Sequence, residues 1–533
     1  MIKKTVFIGM FLLLIFGLMS CKGKAFDWTT VNPENGVYYE VFVRSFADSN
    51  DDGIGDFNGI TEKLPYLKDL GIGGLWLMPI HPSATYHGYD VMDYYDVNED
   101  YGTMADFEAM VAAADELGIR IMIDMVFNHT SENHPWFVQA LAGDAKYREY
   151  YNFIPSTTDT SKLNGSWNQN IWHTAGNSKY CGYFSNTMPD LNFYNPDVQA
   201  EILEISKFWI DKGVKGFRLD AIHHFYGTNE YLDETYDYYE NIIFLNDYSE
   251  ALDEYASDIF VIGEVYEETL YQVVGDYFIG LDSPIDFPVS ARLRQSFMNN
   301  TNRGYVTNLE AIYASYRDVN PDFISTPFLA NHDMDRIAST AYGDEDAMRM
   351  AAEMLLVLPG NPILYYGEEL GMYGIKASGP DIWDETRRLP FLWGDQATTD
   401  WLTSGNSTLA QMNSLNGDVL TATEQLEDPT SLLNLYKAIL NVRNNNIALK
   451  YGNSFDGYEG NSASIQGFYR EYEYEEYHQK LLIIHNFGTV ASAEMTFNGT
   501  IIYLSNVTDL TNITSIPAKS TIIIDVTEAE PNA

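Results

Sequence analysis

Three acidic residues, Asp220, Glu264 and Asp333, each follow a run of apolar residues, and acids so placed suit proton transfer and nucleophilic attack. Gly216-Phe217-Arg218-Leu219-Asp220-Ala221 ends in an arginine and a carboxylate two positions apart. In a strand such residues share a face, so Arg218 and Asp220 would point the same way, and the cation would favour the ionised carboxylate. Phe260-Val261-Ile262-Gly263 leads into Glu264, and the run from Phe323 to Ala330 leads into Asn331-His332-Asp333. A single carboxylate after a strand is more often a helix cap or a solvated loop residue. Three of them at three strand ends point instead to one shared site. Buried parallel strands with polar residues at their C-terminal ends are how a TIM barrel presents reactive groups. The predicted class is therefore α/β, a (β/α)8 barrel.

The elements that would carry these residues can be counted along the chain. Strands are expected at Val37 to Val43, Gly74 to Leu77, Arg120 to Val126, Gly216 onward, Phe260 to Gly263, Pro284 to Pro288, Phe323 to Leu329 and Asn361 to Tyr366. Between them lie helical patterns such as Phe57 to Leu70, Met104 to Leu117, Asp197 to Asp211 and Tyr231 to Tyr255, with a last helix at Ser431 to Asn446. Residues 130–189 break the alternation with irregular sequence containing Trp136, Trp167 and Trp172, which are expected to form a small core. From about Ala448 short alternating runs, including Leu481 to His485 and Thr521 to Asp525, predict an all-β sandwich. The expected organisation is a barrel over 36–129 and 190–446, an insert at 130–189 and a sandwich at 447–533.

After the first strand, oxygen-bearing side chains recur at every second position: Asp48, Asn50, Asp52 and then Asp56, with Gly53 sixth and the Ile54 carbonyl seventh. That spacing resembles an EF-hand loop and predicts Ca2+, although the twelfth position is Gly59 rather than an acid. The plainer alternative is a solvated Asp/Gly turn.

The 533-residue chain carries a net charge of −45, which disfavours nucleic acid and anionic lipid as partners and leaves a neutral polysaccharide unaffected. Two cysteines make no disulfide framework. At the N-terminus Lys3 and Lys4 precede an uncharged stretch from Thr5 to Ser20, shorter than the ~20 residues that span a bilayer and readable as a signal peptide over 1–20. Leu18-Met19-Ser20-Cys21 resembles a bacterial lipobox, so lipidation at Cys21, a tether over 21–35 and an exported, membrane-anchored lipoprotein are expected.

Five short motifs carry a wider resemblance. Asp124-Met-Val-Phe-Asn-His129, Met188-Pro-Asp-Leu-Asn192, Gly216-Phe-Arg-Leu-Asp-Ala221, Ile262-Gly-Glu-Val265 and Asn331-His-Asp333 stand in the order found in the α-amylase family, glycoside hydrolase family 13, which the chain resembles from about Gly36 onward. The resemblance implies that Asp220 is the nucleophile, Glu264 the acid/base, and Asp333 the group that binds the sugar's 2- and 3-hydroxyls. Arg218 would lower the pKa of Asp220, and burial beside like charges would raise that of Glu264. In Tyr86-His87-Gly88-Tyr89-Asp90, Tyr89 would be a sugar platform and His87 a hydrogen-bond donor. His129 and His332 would hold the sugar at subsite −1, with His223 near subsite +1 and Arg388 bracing the cleft. A second calcium site is implied at Asn128, Asp190 and the carbonyl of His224, and the insert and sandwich would be domains B and C.

The implied activity is retaining hydrolysis of internal α-1,4 bonds in starch, glycogen and maltooligosaccharides, by a chain expected to be monomeric. An oligo-1,6-glucosidase, a neopullulanase-like hydrolase and a 4-α-glucanotransferase are the alternatives. Met188 to Asn192 resembles the neopullulanase-like group and the Asp48 to Asp56 loop the oligo-1,6-glucosidase group, whereas Ala221 points to α-1,4 preference. A glucan-binding lipoprotein without turnover would be a non-enzyme reading, and the intact set of three acids argues against it.

Overall fold

The computed structural model describes residues 34–227, 238–378 and 382–528. The leader, Cys21, nearly all of the tether and the first turns of the helix expected from Tyr231 lie outside the described residues. Parallel strands β1 (Tyr38–Val41), β2 (Gly74–Leu77) and β3 (Arg120–Met125) open the barrel, each almost wholly buried. Burial on both faces explains why they read as continuous apolar runs rather than as alternation.

The chain then leaves the barrel. Where irregular sequence was expected, β4 (Phe153–Pro155), β5 (Trp172–Ala175) and β6 (Ser178–Cys181) form an antiparallel sheet in the order β4-β6-β5, preceded by helices Pro135–Ala142 and Ala145–Glu149. Strands of three or four residues are too short to show a periodicity in sequence. Trp172 is buried with Ile171, Cys181 and Tyr183, and Trp136 packs between Tyr94 and Tyr150. Trp167, by contrast, is 69% exposed, so it is not part of that core.

The barrel resumes with β7 (Gly216–Leu219), β8 (Phe260–Gly263), β9 (Ser283–Pro284) and β10 (Ile363–Tyr365), giving the parallel order β10-β1-β2-β3-β7-β8-β9. Two expected strands are shorter than the sequence suggested. β9 stops at Pro284 because Asp286 caps the next helix, Phe287–Ser296, its Oδ1 accepting from Val289 N–H at 3.1 Å with Pro288 in the first turn. The seventh barrel position, expected at Phe323 to Leu329, is held by two isolated parallel bridges, Ile285 to Thr326 and Phe328 to Ile363. Pro327 between them has no N–H to give to a ladder. Those bridges join β9 to β10 and close the ring.

Inside it, Tyr38, Trp76, Met122, Phe260, Phe328 and Ile363 form a cluster of their own. Gly216 leaves room for that layer, since a Cβ there would lie 2.8 Å from the Phe260 carbonyl and 3.0 Å from Met122 Cε.

At the C-terminus β11 (Asp456–Gly457), β12 (Ile465–Tyr474), β13 (Tyr477–Asn486), β14 (Thr500–Leu504) and β15 (Ser520–Asp525) pair antiparallel as β11-β12-β13-β15-β14. Alternation divides the faces: Phe468, Leu481 and Ile483 join the main core, while Leu482, Ile484, Ile522 and Ile524 pack under Met495, Phe497, Leu510 and Ile516. Among the described residues no helix is long and apolar enough to cross a membrane.

Candidate active site

Parallel pairing sets Asp220 and Glu264 side by side. Leu219 is registered with Gly263, and the ladder continues one step past it, with Asp220 N–H donating to the Met125 carbonyl at 3.0 Å and Glu264 N–H to the Leu219 carbonyl at 2.9 Å. The two acids thus emerge from adjacent strand ends. Arg218 is buried among three carboxylates: Nη1 donates to Asp220 Oδ1 at 2.6 Å and to Asp124 Oδ1 at 2.9 Å, and Nη2 pairs with Glu264 Oε2 at 2.9 Å. Its guanidinium also lies 5.2 Å from the ring centre of Trp76, whose Nε1 donates to Asp124 Oδ2 at 3.2 Å.

Asp124 was not among the expected site residues. Its signal was present, for it is the one acid in an otherwise apolar stretch of β3, one residue before that strand ends, and it begins the Asp124 to His129 motif.

The third acid arrives from the bridged segment. Asp333 is held by Arg388 Nη2 at 2.9 Å and by His332 Nε2 at 3.2 Å, and Arg388 Nε donates to the His332 carbonyl at 3.2 Å. Neighbouring Arg387 donates to the Asp333 carbonyl at 2.6 Å. Asp333 keeps half of its side chain open to solvent, whereas the other two acids are recessed.

These contacts separate the acidities, though not as the sequence implied. Partial desolvation in the cleft opposes ionisation of Asp333, yet His332, then Arg388 and Arg218, hold it far below the usual carboxylate range. Burial raises both Asp220 and Glu264, and Arg218 only partly offsets it in each. The expectation that Arg218 depresses Asp220 alone is corrected: one guanidinium is shared, and the acid held lowest is Asp333. Asp124 is likewise pushed up by burial, to about 7. Carboxylates crowded on one cation titrate as a unit, which favours keeping a proton among them at neutral pH.

Tyr89 joins the cluster through its hydroxyl, 3.1 Å from Asp124 Oδ2 and 2.7 Å from His332 Nε2, with its ring stacked on that of His332. His87 lies beside it, its Nδ1 accepting from Tyr89 N–H at 3.0 Å and its Nε2 2.9 Å from Thr85 Oγ1. His129 is buried behind Tyr89, with Nε2 donating to the Tyr89 carbonyl at 3.0 Å. His223 stands farther along, its Nδ1 3.3 Å from the Tyr277 hydroxyl.

The oxygen-rich loop is a ladder of Asx turns: Asp48 accepts from Asn50, Asp51 and Gly53, Asn50 from Asp52, and Asp52 from Ile54, while Asp56 caps the helix Phe57–Leu70. Gly53, at φ +88°, supplies the turn. At the other expected calcium position Asp190 is buried, accepting from Asn128 Nδ2 at 3.3 Å, Cys181 Sγ at 3.1 Å and Tyr183 N–H at 3.1 Å. Among the described residues no lysine or arginine pairs with it, and burial pushes it up to about 7. Both donor sets are dominated by hard oxygen and fit Ca2+ chemically. Among the described residues no three His, Cys, Asp or Glu side chains converge on one point, so amide and carbonyl oxygens would have to complete either set.

A family model described as the catalytic domain of α-amylase matches residues 40–452. The chain belongs to the α-amylase family. It is a glycoside hydrolase of that family, and its similarity extends over its length. It is 37% identical to Alpha-amylase 3 of Dictyoglomus thermophilum, covering 98% of this chain and 99% of that one. It is 33% identical to a 4-alpha-glucanotransferase of Thermotoga neapolitana over 68% of this chain and 77% of that enzyme. The crystal structure of an α-amylase from H. orenii superposes with a TM-score of 0.79 at 34% identity, covering 92% of this chain and 99% of that one. In an α-amylase-family barrel a cluster of acids at the strand ends is the place for glycosidic chemistry.

Proposed function

We propose that the enzyme cleaves internal α-1,4 bonds of α-glucans with retention of configuration. The observation that carries this reading is the shared guanidinium: Asp220 and Glu264 occupy two nitrogens of Arg218. Acids so tethered suit the spacing of about 5–5.5 Å used for direct attack, rather than the 6.5–9.5 Å that leaves room for a water. Glu264 would protonate the glycosidic oxygen as Asp220 attacks the anomeric carbon, breaking that C–O bond and forming a glycosyl ester. Water, deprotonated by Glu264, would then displace Asp220. Asp333, held ionised, suits hydrogen bonds from the sugar hydroxyls and the positive charge that develops on the ring.

An acceptor sugar in place of water would give transglycosylation, and the resemblance to a 4-alpha-glucanotransferase keeps that reading open. Proton NMR of the first products of starch cleavage decides the stereochemistry, and incubation with a pure maltooligosaccharide separates hydrolysis from transfer. We expect α-anomers of short maltooligosaccharides. Initial β-anomers would overturn the assignment of Asp220, and chain lengthening from a pure maltooligosaccharide would favour the transferase.

Two further readings accompany this one. Asp48, Asn50, Asp52, the Ile54 carbonyl and Asp56 would hold one Ca2+, and Asn128, Asp190 and the His224 carbonyl a second, each ion bracing a loop. Cys21 would carry lipid and anchor an exported monomer. Cys21→Ser should then move the protein from the detergent phase to the aqueous phase on phase separation, and continued partition with detergent would refute the anchor.

A further inference from the structure

Glu40 is a fully buried carboxylate on β1 that the chemistry above does not use. It is registered with Trp76 on one side and Tyr365 on the other, so it lies within the barrel wall behind the acids. Its Oε1 meets His332 Nδ1 at 2.5 Å, and its Oε2 has no hydrogen-bond partner. Among the described residues His332 is its one ion-pair partner. A carboxylate taken from water this completely either keeps a proton or is paired with a cation in contact, and the group in contact with Glu40 is a ring that can carry that charge.

The far side of the same ring makes the complementary demand. His332 Nε2 faces Asp333 Oδ2 at 3.2 Å and the Tyr89 oxygen at 2.7 Å. Tyr89 donates its own proton to Asp124 Oδ2, which leaves its oxygen as an acceptor. An ionised carboxylate only accepts, so an imidazole between Glu40 and Asp333 satisfies both only with a proton on each nitrogen.

We infer that Glu40 is a positioning residue that holds His332 as an imidazolium and so fixes the orientation of Asp333 and Tyr89 toward the sugar. The role of Asp333 is that of the proposed function, on which this inference rests. The groups facing His332 come from every side: Glu40 from β1, Tyr89 from the loop after β2, Asp124 from β3, and Asp333 from its own segment. Arg218, Asp220 and Glu264 from β7 and β8, together with Arg388, complete the set. The two arginines oppose a third cation and the acids favour it. Contact decides, because Glu40 and Asp333 touch the ring nitrogens while Arg388 reaches only the His332 carbonyl. Consistent with this, and against the effect of burial, Asp333 first and Glu40 next raise His332 to about 10.

The test reads the ring directly in the free enzyme. In 15N NMR, with the signal identified by its loss in His332→Asn, both ring nitrogens of wild type should remain protonated through about pH 8.5. Glu40→Gln keeps an acceptor for Nδ1–H but removes the charge, so His332 should begin to titrate within that range. Activity on maltoheptaose should follow: kcat/KM falls about tenfold or more at pH 8 and much less at pH 6, where Asp333 still keeps the ring protonated. Glu40→Asp, which restores the charge, should recover part of the loss at pH 8. A neutral His332 in wild type at pH 7 overturns the inference even if a variant fails to fold. So does a Glu40→Gln enzyme with an unchanged ring titration and pH profile. Because the NMR readout needs no substrate, it stands apart from the assignment of glucan cleavage.

Discussion

At the scale of single residues the site is a problem of too many acids for its cations. Arg218 serves Asp124, Asp220 and Glu264, and Arg388 with His332 serves Asp333, so each acidity follows from which cation it touches. Ala221 adds steric and backbone detail. It follows Asp220, the proposed nucleophile, in a left-handed conformation, φ +49°, and its N–H donates to Glu264 Oε2 at 3.2 Å. On the proposed function a small side chain there would leave room beside Asp220 for the next glucose, whereas valine would fill it. A difference of this size in a subsite is worth about 1–3 kcal/mol. Ala221→Val should therefore raise the ratio of isomaltose to maltotriose hydrolysis by about tenfold. Because a β-branched residue is poorly accommodated at positive φ, it should also lower Tm by several degrees. Ala221→Gly relieves the backbone and should leave Tm equal or higher. An unchanged substrate ratio in the valine variant would remove Ala221 from specificity.

At the scale of elements, the strand ends and the loops after them do the positioning. Asp220 and Glu264 lie side by side because β7 and β8 are in parallel register, not because anything in either segment refers to the other. The loop between β1 and the helix Phe57–Leu70 is fixed by Asx turns and by Asp56 at the helix N-terminus. If that loop and the Asp190 site bind Ca2+, the ion stabilises only the folded state and acts by mass action. A chelator should then lower Tm by several degrees, and excess Ca2+ should restore it. Thermal denaturation that does not respond to either would mean that calcium is not part of the fold.

The whole molecule is tied together where the barrel meets the C-terminal sheet. The helix Glu345–Leu356 ends in carbonyls that need partners, and two buried arginines from later in the chain supply them. Arg443 donates to the carbonyls of Leu356 and Leu358, and Arg470, on β12, to those of Val357, Ala448 and Gly452. The C-terminal sheet thereby caps a barrel helix. In the same helix Glu353 is buried and accepts from the Tyr503 hydroxyl on β14 at 2.7 Å. Burial raises Glu353 to about 7, with hydrogen bonds only partly opposing it. Between an unfolded value of about 4.3 and that folded value the native state holds the extra proton, so stability falls as pH rises through the window. Glu353→Gln cannot ionise, and its Tm relative to wild type should rise between pH 5 and pH 8. A constant difference across that range would show that Glu353 titrates normally in place.

The sequence by itself determined the local and the periodic. Apolar runs marked all eight barrel positions, two of them longer than the fold makes them, and acids at their ends marked where reactive groups would emerge. Short motifs in a fixed order were enough to indicate the family, which the comparisons with known proteins bear out. Only the tertiary structure decided who shares whose charge. Asp124 and Glu40 lie 94 and 292 residues from Arg218 and His332, and no local pattern could pair them. At the seventh barrel position the sequence indicated Phe323 to Leu329, and only the fold showed that the pairing there shrinks to two bridges around Pro327. Acidities followed the same division: the sequence named the cation beside Asp220, but burial and sharing, which are properties of the folded cluster, placed the lowest acid at Asp333.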